Sequence, residues 1–314
     1  MSAAGAPAGA LRAIASAPGR LPLSGANAGP RLSVALDRRA LCRVETGVAG
    51  IAIESKDSLS KTTAGDVSEL LQRSPTSVVA HTLDLLEVRH GLRVVTEWKL
   101  PVGSGVDGDS ALAVATLAAV AHALGREPGS EELVRLAREA GRRAGGADEH
   151  GHHAALWGGV VVTRGAGEGL GAEPLPVDPG RIEEALILVD TGEAGAGGTR
   201  QPSVAGSLAG RPVTERLVQA LVAGRFEDVV DLVAEEAEGD LEGPGLGPGL
   251  RRVVEIARAA GGAARPLPQG RLVAVWAPPG ARGPGRGEAV REALKTAGLK
   301  AVRVRVDLRG LEVD

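Results

Sequence analysis

The chain has 314 residues, a formal net charge of −3, and 43% hydrophobic and 24% charged residues, a composition typical of a soluble globular protein. This charge excludes the strongly basic surface of a general nucleic-acid binder, and the single cysteine, Cys42, excludes an internal disulfide bond and a cysteine-only metal site. No apolar run reaches the roughly 18 residues of a bilayer-spanning helix. We therefore expect a cytoplasmic protein without a nucleic-acid or membrane partner, and long enough for two modest domains.

The first part of the chain is predicted to be rich in strands. Residues 1–10 indicate a disordered lead, without the basic and long apolar regions of a secretory signal. A short strand broken by a Pro-Gly pair follows over 11–25, and the alternating residues 31–45 favour one or two further strands. Residues 50–55 predict another strand, ahead of the first helix.

Helices dominate the next part of the chain. The first is predicted from Pro75, whose missing N–H costs nothing in a first turn, to Gly91. Residues 92–99 predict a strand that leads into a glycine-rich loop. The helix expected at 110–124 is apolar nearly all round and should therefore be buried. A second helix, with acidic residues in its first turn, is expected at 130–143.

The second half alternates between strands and helices. A polar turn is predicted at 145–153, a strand at 160–163, and a Gly/Pro-rich linker at 165–181 that marks a domain boundary. Further strands are expected at 185–192, 271–277 and 301–308, and helices at 214–223, 226–238, 250–260 and 287–297. This alternation is typical of an α+β or α/β protein with two layers.

Residues 100–111 are the stretch that says most about function. A strand, a glycine-rich loop and a helix in this order direct backbone N–H groups and a helix N-terminus at an anion, usually phosphate. Asp107 and Asp109, however, lie where that phosphate would bind. A unit charge about 4 Å from a phosphate charge costs roughly 4 kcal/mol at an effective dielectric constant of about 20. The two carboxylates therefore predict weak phosphate binding.

Two interpretations would give these carboxylates a useful role. Either one could bind Mg²⁺ together with substrate phosphates, or one could cap the following helix. Capping is the favoured interpretation for Asp109, whereas no stabilising role is predicted for Asp107. Residues 103–108 also match G-x-G-x-x-G, but a dinucleotide-binding unit needs a second parallel strand, and a second helix is expected here instead.

Five segments occur in an order and spacing that resemble known motifs. They are 17–25 (A-P-G-R-L-P-L-S-G), 101–106 (P-V-G-S-G-V), 154–159 (A-A-L-W-G-G), 188–192 (L-V-D-T-G) and 275–279 (V-W-A-P-P). Together they resemble the motifs of the GHMP kinase superfamily. The closest resemblance is to its sugar branch, which contains galactokinases and D-glycero-D-manno-heptose 7-phosphate kinases.

This resemblance implies a two-domain α+β fold. Residues 11–180 would form the N-terminal domain, which is similar to ribosomal protein S5 domain 2 and carries the ATP loop, and residues 181–314 a ferredoxin-like C-terminal domain. ATP with Mg²⁺ and a small hydroxylated substrate would bind between the domains. A phosphoryl group would then pass from ATP to an alcohol.

The resemblance also implies site residues, with departures from the family pattern. Arg20 falls on an arginine near the transferred phosphate, although a surface arginine after a turn is an equal alternative. The nucleotide-binding loop would comprise Gly103, Ser104, Gly105, Val106, Asp107, Gly108, Asp109, Ser110 and Ala111. In this loop Asp107 replaces a glycine of the motif, and Asp109 replaces a serine. The catalytic aspartate of the motif falls on Gly151, which cannot act as a base.

The segment around Gly151 leaves three alternatives open. Asp148 or Glu149, just upstream, could be a displaced catalytic carboxylate. These acids could instead form a metal cluster with His150, His152 and His153, a loose ligand pattern. A solvated polar turn is the favoured alternative.

A third motif departs most clearly from the pattern. The glycine-rich hairpin of the family falls on residues 266–271 (P-L-P-Q-G-R), where proline removes an N–H donor and fixes φ. Two functional hypotheses follow. The favoured one is a pseudokinase or severely weakened kinase that acts as a binding or regulatory protein for a sugar-like small molecule or a protein partner. The alternative is an active ATP-dependent kinase that phosphorylates a hydroxyl of a sugar or sugar phosphate.

Overall fold

The computed structural model describes most of the chain. The described ranges are 12–24, 30–98, 106–146, 150–192, 210–241, 247–267, 271–280 and 286–314. Within them the chain forms an eight-stranded sheet, a four-stranded sheet and helices packed against both. None of the helices in these ranges combines the length and the apolar character needed to cross a lipid bilayer.

The elements follow one another in this order along the chain. The strands are β1 (Arg12–Ser24), β2 (Arg31–Thr46), β3 (Ile51–Ser55), β4 (Ser60–Ala64), β5 (Leu92–Trp98), β6 (Val160–Arg164), β7 (Gly171–Leu175), β8 (Leu186–Asp190), β9 (Ala263–Pro266), β10 (Leu272–Trp276), β11 (Lys300–Arg303) and β12 (Glu312–Val313). The helices are α1 (Val67–Arg73), α2 (Val78–Leu85), α3 (Gly108–Ala123), α4 (Ser130–Arg143), α5 (Gly151–Trp157), α6 (Pro179–Ala185), α7 (Gly210–Val222), α8 (Phe226–Leu241), α9 (Pro248–Ala259) and α10 (Arg286–Thr296). A single 3₁₀ turn spans Gly167–Gly169.

The first sheet is built on the long antiparallel pair of β1 and β2. Its strand order is β12-β1-β2-β5-β3-β4, and β6 and β7 extend it from β2. Strand β1 continues through the Pro-Gly pair, where the break expected from sequence is a shift of register between Pro18 and Gly19. The pairing of β3 with β5 is parallel, whereas the other pairs of this sheet are antiparallel.

Helix α3 lies in the core beside this sheet, as its apolar sequence predicted. Twelve of its sixteen residues are buried, and the helix packs against β1, β2, α4 and α5. Complete burial of a helix that is apolar on all sides costs little desolvation of polar side chains, and removal of the apolar side chains from water stabilises it. The position of its N-terminus, at Gly108, is therefore held by the core.

The second sheet has the order β11-β8-β10-β9, and all its pairs are antiparallel. Counted within this sheet alone, the order is 4-1-3-2, which is the order expected of a ferredoxin-like domain. Its central strands are buried throughout β10 and over the first four residues of β8. The predicted α+β class is confirmed, and the division into two domains near residue 180 stays a prediction.

Several local predictions were wrong. Helix α2 begins at Val78 and not at Pro75, because the Ser77 hydroxyl caps it by accepting a hydrogen bond from the Ala80 N–H at 3.2 Å. The predicted polar turn contains α5, which begins at Gly151. The predicted linker contains the 3₁₀ turn, β7 and α6, and β7 pairs with β6.

The C-terminal tail returns to the first sheet and is fixed there by Arg39. The Arg39 guanidinium donates to the carboxylate of Asp307 at 2.5 Å and to the backbone oxygens of Ser16 and Gly310, both at 2.7 Å. The Asp307 side chain is fully buried and also accepts from the Arg309 and Gly310 N–H groups at 2.9 and 3.2 Å. A buried carboxylate with several donors ties β1, β2 and the tail together.

We expect Asp307→Ala to lower the free energy of unfolding by about 3 kcal/mol, because it leaves the largely buried Arg39 without its carboxylate. Urea denaturation of both proteins measures this difference. Arg12→Ala is the matched control: Arg12 pairs with Glu45 at 3.3 Å and is 76% exposed, so the change should cost no more than about 1 kcal/mol. Equal effects for the two variants would contradict a structural role for the buried pair.

Candidate active site at the start of helix α3

Arg20, on β1, forms the centre of the candidate site. Its side chain is only 3% exposed. The guanidinium donates to the Ser33 hydroxyl at 3.2 Å and lies 3.3 Å from a carboxylate oxygen of Asp107. The interpretation of Arg20 as a surface arginine is therefore wrong, because a buried guanidinium is stable only with such partners.

Asp107 caps helix α3. Its Oδ1 accepts a hydrogen bond from the Ser110 N–H at 3.1 Å, and its Oδ2 accepts from the Ser110 hydroxyl at 2.7 Å. Its backbone N–H donates to the Arg20 carbonyl at 3.0 Å, so the two residues also form an isolated β-bridge. The cap was predicted to be Asp109, which instead lies exposed in the first helical turn.

The ion pair changes the electrostatics predicted for this segment. The Asp107 side chain is 15% exposed and its charge is offset by Arg20. Asp109 is exposed, and the high dielectric constant near solvent weakens repulsion. A carboxylate in the first turn also interacts favourably with the helix dipole. The predicted cost of about 4 kcal/mol for each carboxylate next to phosphate is therefore too high for this arrangement.

Gly151, the first residue of α5, lies directly against the Asp107 carboxylate. A Cβ atom at this position would overlap Oδ2 of Asp107 and the hydroxyl of Ser110, and would lie 2.9 Å from the Ser110 Cβ. No side chain fits there while Asp107 keeps its place. The absence of a side chain at Gly151 is thus a packing requirement set by Asp107 together with Ser110.

Trp98 packs beside the same cluster at the end of β5. A Cβ atom on Gly108 would lie 3.0–3.3 Å from the indole ring, and one on Gly19 would overlap it. Both glycines therefore make room for the ring. Because Gly19 precedes Arg20 and Gly108 follows Asp107, Trp98 holds the two backbone segments of the ion pair against each other.

The three histidines on either side of Gly151 are buried, so the favoured prediction of a solvated turn is wrong for them. His150 forms a hydrogen bond of 2.6 Å between its Nδ1 and the Thr163 hydroxyl. The rings of His153 and Trp157 are 5.2 Å apart, and His152 is 2% exposed. Among the described residues, no group of three or more His, Cys, Asp or Glu side chains could hold a metal ion.

Burial also shifts the titration of His153. Burial, followed by the nearby charges of His152 and Arg138, lowers the pKa of this imidazole from 6.5 to about 4. The neutral ring is therefore the form that the folded protein holds at neutral pH.

Several predicted site residues lie outside the described residues. These are Gly103, Ser104 and Gly105 of the loop and the candidate catalytic acids Asp148 and Glu149. Of the described loop residues, Val106 and Ala111 are buried in the cores and Gly108 begins α3.

The third motif is described only at its two ends. Pro266 ends β9, and the Leu267 N–H donates to the Leu272 carbonyl at 3.0 Å. Arg271 binds Asp190 through two hydrogen bonds of 3.1 Å. These described ends therefore continue the second sheet, in which β9 and Leu272 of β10 are neighbours.

Comparisons with known proteins show what this chain is similar to. Residues 73–159 match the family model of the GHMP kinases N terminal domain. A mevalonate kinase from Thermococcus sibiricus is 29% identical over 192 residues, which cover 53% of this chain and 56% of that protein. The match thus spans little more than half the length of this curated relative.

Two solved structures share the fold over nearly the whole chain. A D-glycero-D-manno-heptose 1-phosphate kinase from Bacteriodes thetaiotaomicron has a TM-score of 0.77 at 19% identity, over 96% of this chain and 98% of that chain. The Lactococcus lactis galactokinase complexed with galactose has a TM-score of 0.75 at 13% identity, over 96% of this chain and 95% of that one. The resemblance to the GHMP kinases and the predicted fold class are therefore confirmed.

Sequence reasoning missed the partnership of Arg20, Asp107 and Gly151. The three residues are far apart in the chain, and their contact depends on the packing of β1, α3 and α5. One signal was present: an aspartate stands at a glycine position of one motif, and a glycine stands at the aspartate position of another.

The His153 shift predicts how stability depends on pH. Between pH 6.5 and about 4 the unfolded chain binds a proton at His153 and the folded chain does not. The free energy of unfolding should therefore fall as the pH falls through this window. Urea denaturation at several pH values should show a smaller fall for His153→Gln than for the wild type. His90→Gln, at an exposed position, is the control and should match the wild type.

Proposed function

We propose that the protein is an ATP-dependent phosphotransferase that acts on a hydroxyl of a sugar or sugar phosphate. The observation that carries this proposal is the buried pair of Arg20 and Asp107 at the N-terminus of α3. It provides a fixed cation and a fixed carboxylate beside the glycine-rich segment, in a fold shared with sugar kinases. Phosphoryl transfer depends chiefly on such positioning and charge stabilisation.

Each described residue of the cluster has a role in this function. Arg20 stabilises negative charge on the transferred phosphoryl group, because its guanidinium is permanently charged and held by Ser33 and Asp107. The first turn of α3 presents backbone N–H groups, which favour an anion. Asp109 is exposed in this turn, and its carboxylate suits Mg²⁺, which is commonly held by one or two carboxylates together with substrate phosphates. Bound Mg²⁺ would neutralise phosphate charge.

A pseudokinase is the second candidate, and one observation favours it. The Asp107 carboxylate already accepts both the N–H and the hydroxyl hydrogen of Ser110. Some of the hydrogen-bond donors at this end of α3 are thus already used by a carboxylate of the chain itself, which leaves fewer donors for a nucleotide phosphate. Such a protein would act by binding a sugar-like molecule or a protein partner. The cytoplasmic location stays a prediction.

We expect Mg²⁺–ATP to stabilise the wild type in a thermal-shift titration, by about 2.7 kcal/mol at a concentration one hundred times the dissociation constant. Coupled ADP release should then identify a phosphorylated acceptor in a panel of sugars and sugar phosphates. Arg20→Lys keeps the charge but not the forked geometry, and should lower kcat about 10²-fold. Arg12→Lys, an exposed position on the same strand, is the matched control and should keep wild-type kinetics.

The outcomes separate the two candidates. A folded wild type that shows no thermal shift at millimolar Mg²⁺–ATP and no ADP release would refute the kinase. A thermal shift with sugars alone would then favour the pseudokinase. Equal kinetics for Arg20→Lys and Arg12→Lys would remove Arg20 from the reaction.

A further inference from the structure

Positions 107 and 151 are in contact, and only one of them can carry a side chain. The carboxylate of Asp107 occupies the volume in which the side chain of residue 151 would begin. The motifs of the resembled family have the opposite arrangement, with glycine at the first position and the catalytic aspartate at the second. Two departures that are separate in the sequence are therefore one reciprocal exchange in space.

We propose that Asp107 is the catalytic carboxylate of this protein, supplied from the N-cap of α3 in place of the first residue of α5. The proposal rests on the phosphotransferase function proposed above. It assigns the acceptor-activating role to a residue inside the phosphate loop, and not to Asp148 or Glu149. Gly151 becomes a required complement, because its missing side chain leaves room for the carboxylate.

The described contacts of Asp107 suit this role. Its carboxylate is held at both oxygens: Oδ2 lies 3.3 Å from the Arg20 guanidinium and accepts from the Ser110 hydroxyl, and Oδ1 accepts from the Ser110 N–H. A group held in this way needs little reorganisation during the reaction. The Asp107 side chain has 15% of its surface exposed and the Arg20 side chain 3%, so a small hydroxylated substrate would approach the pair from the side of Asp107.

The chemical step balances with ATP and an alcohol as the two reactants. The acceptor oxygen forms a bond to the γ-phosphorus of ATP, and the bond from this phosphorus to the β,γ-bridging oxygen breaks. The hydroxyl proton passes to the carboxylate of Asp107, and ADP leaves with the electron pair of the broken bond. A positioned carboxylate of this kind typically contributes about 10²–10⁴-fold to a rate.

The proposal also explains the aspartate in a phosphate loop. The described contacts of the Asp107 carboxylate are with Arg20 and Ser110, and the atoms of Gly151 lie beside it. The charge is thus paired within the cluster. An aspartate here is compatible with a bound phosphate because Arg20 offsets its charge next to that phosphate.

The decisive test compares Asp107→Asn with the exchanged double variant Asp107→Gly/Gly151→Asp. Asparagine keeps the cap but removes the charge that pairs with Arg20. Asp107→Asn should therefore fold with a lower Tm and lose about 10²–10⁴-fold in kcat, with KM for ATP little changed. The exchanged variant returns a carboxylate to the same volume and should recover at least about tenfold of this loss. Asp66→Asn is the matched control, because Asp66 caps α1 in the same way, accepting from the Glu69 N–H at 2.9 Å.

Each outcome decides between the two proposals. If Asp107→Asn keeps wild-type kcat, the role of Asp107 is refuted while the phosphotransferase stands. If the wild type is inactive and the exchanged variant phosphorylates a sugar, a carboxylate at position 107 does not activate the acceptor hydroxyl, and the chain is a pseudokinase. If neither protein binds Mg²⁺–ATP or releases ADP, the proposed function fails and the role of Asp107 fails with it.

A second measurement tests the exchange without any activity assay. Gly151→Ala should lower the Tm of the wild type by roughly 5 °C, because its methyl group overlaps both the Asp107 carboxylate and the Ser110 hydroxyl that is hydrogen-bonded to it. In the Asp107→Gly background the same substitution should cost clearly less. Gly129→Ala, where a Cβ atom meets nothing within 4 Å, is the control. Equal costs of Gly151→Ala in the two backgrounds would show that positions 107 and 151 do not compete for one volume.

Discussion

The buried charge of Arg20 is the constraint on which the candidate site depends. A guanidinium removed from water must keep a carboxylate and further hydrogen-bond acceptors. Asp107 and Ser33 provide them, and the backbone bridge between Arg20 and Asp107 adds a main-chain hydrogen bond to the ion pair. The start of α3 is therefore attached to β1 at this point.

This attachment determines what the neighbouring segments can be. Because the Asp107 carboxylate faces α5, that helix has to begin with a residue that has no side chain, which is Gly151. Because Trp98 packs over both strands of the bridge, Gly19 and Gly108 must also lack a Cβ atom. Three glycines in separate parts of the chain thus serve one packing arrangement. The missing side chain at each of them is required by the close approach of its neighbours.

Most of the fold could be predicted because its signals are local. The apolar residues of α3, the helical pattern of α4 and the alternating residues of β2 each depend on neighbours within one element. Sequence patterns did not predict the elements that are determined by tertiary contacts. Strand β4 is polar and mostly exposed, so only its pairing with β3 defines it. Helix α5 begins with a glycine and two histidines, a sequence that predicts a polar turn because it does not show that the histidines are buried. The ferredoxin-like strand order followed from family resemblance and not from periodicity.

The candidate site was predictable in its location but not in its chemistry. From sequence, only the interaction of Asp107 with a bound phosphate can be considered, and a lone carboxylate beside a polyanion is repelled at any dielectric constant. The sign of that conclusion depends on the neighbours of the carboxylate, and the decisive neighbour, Arg20, precedes it by more than eighty residues. Gly151 was likewise judged as the loss of a base, although the volume it leaves contains a carboxylate. Charges and missing side chains in a degenerate motif therefore have to be evaluated in pairs across the fold, since a residue that disrupts one motif can replace what another motif lacks.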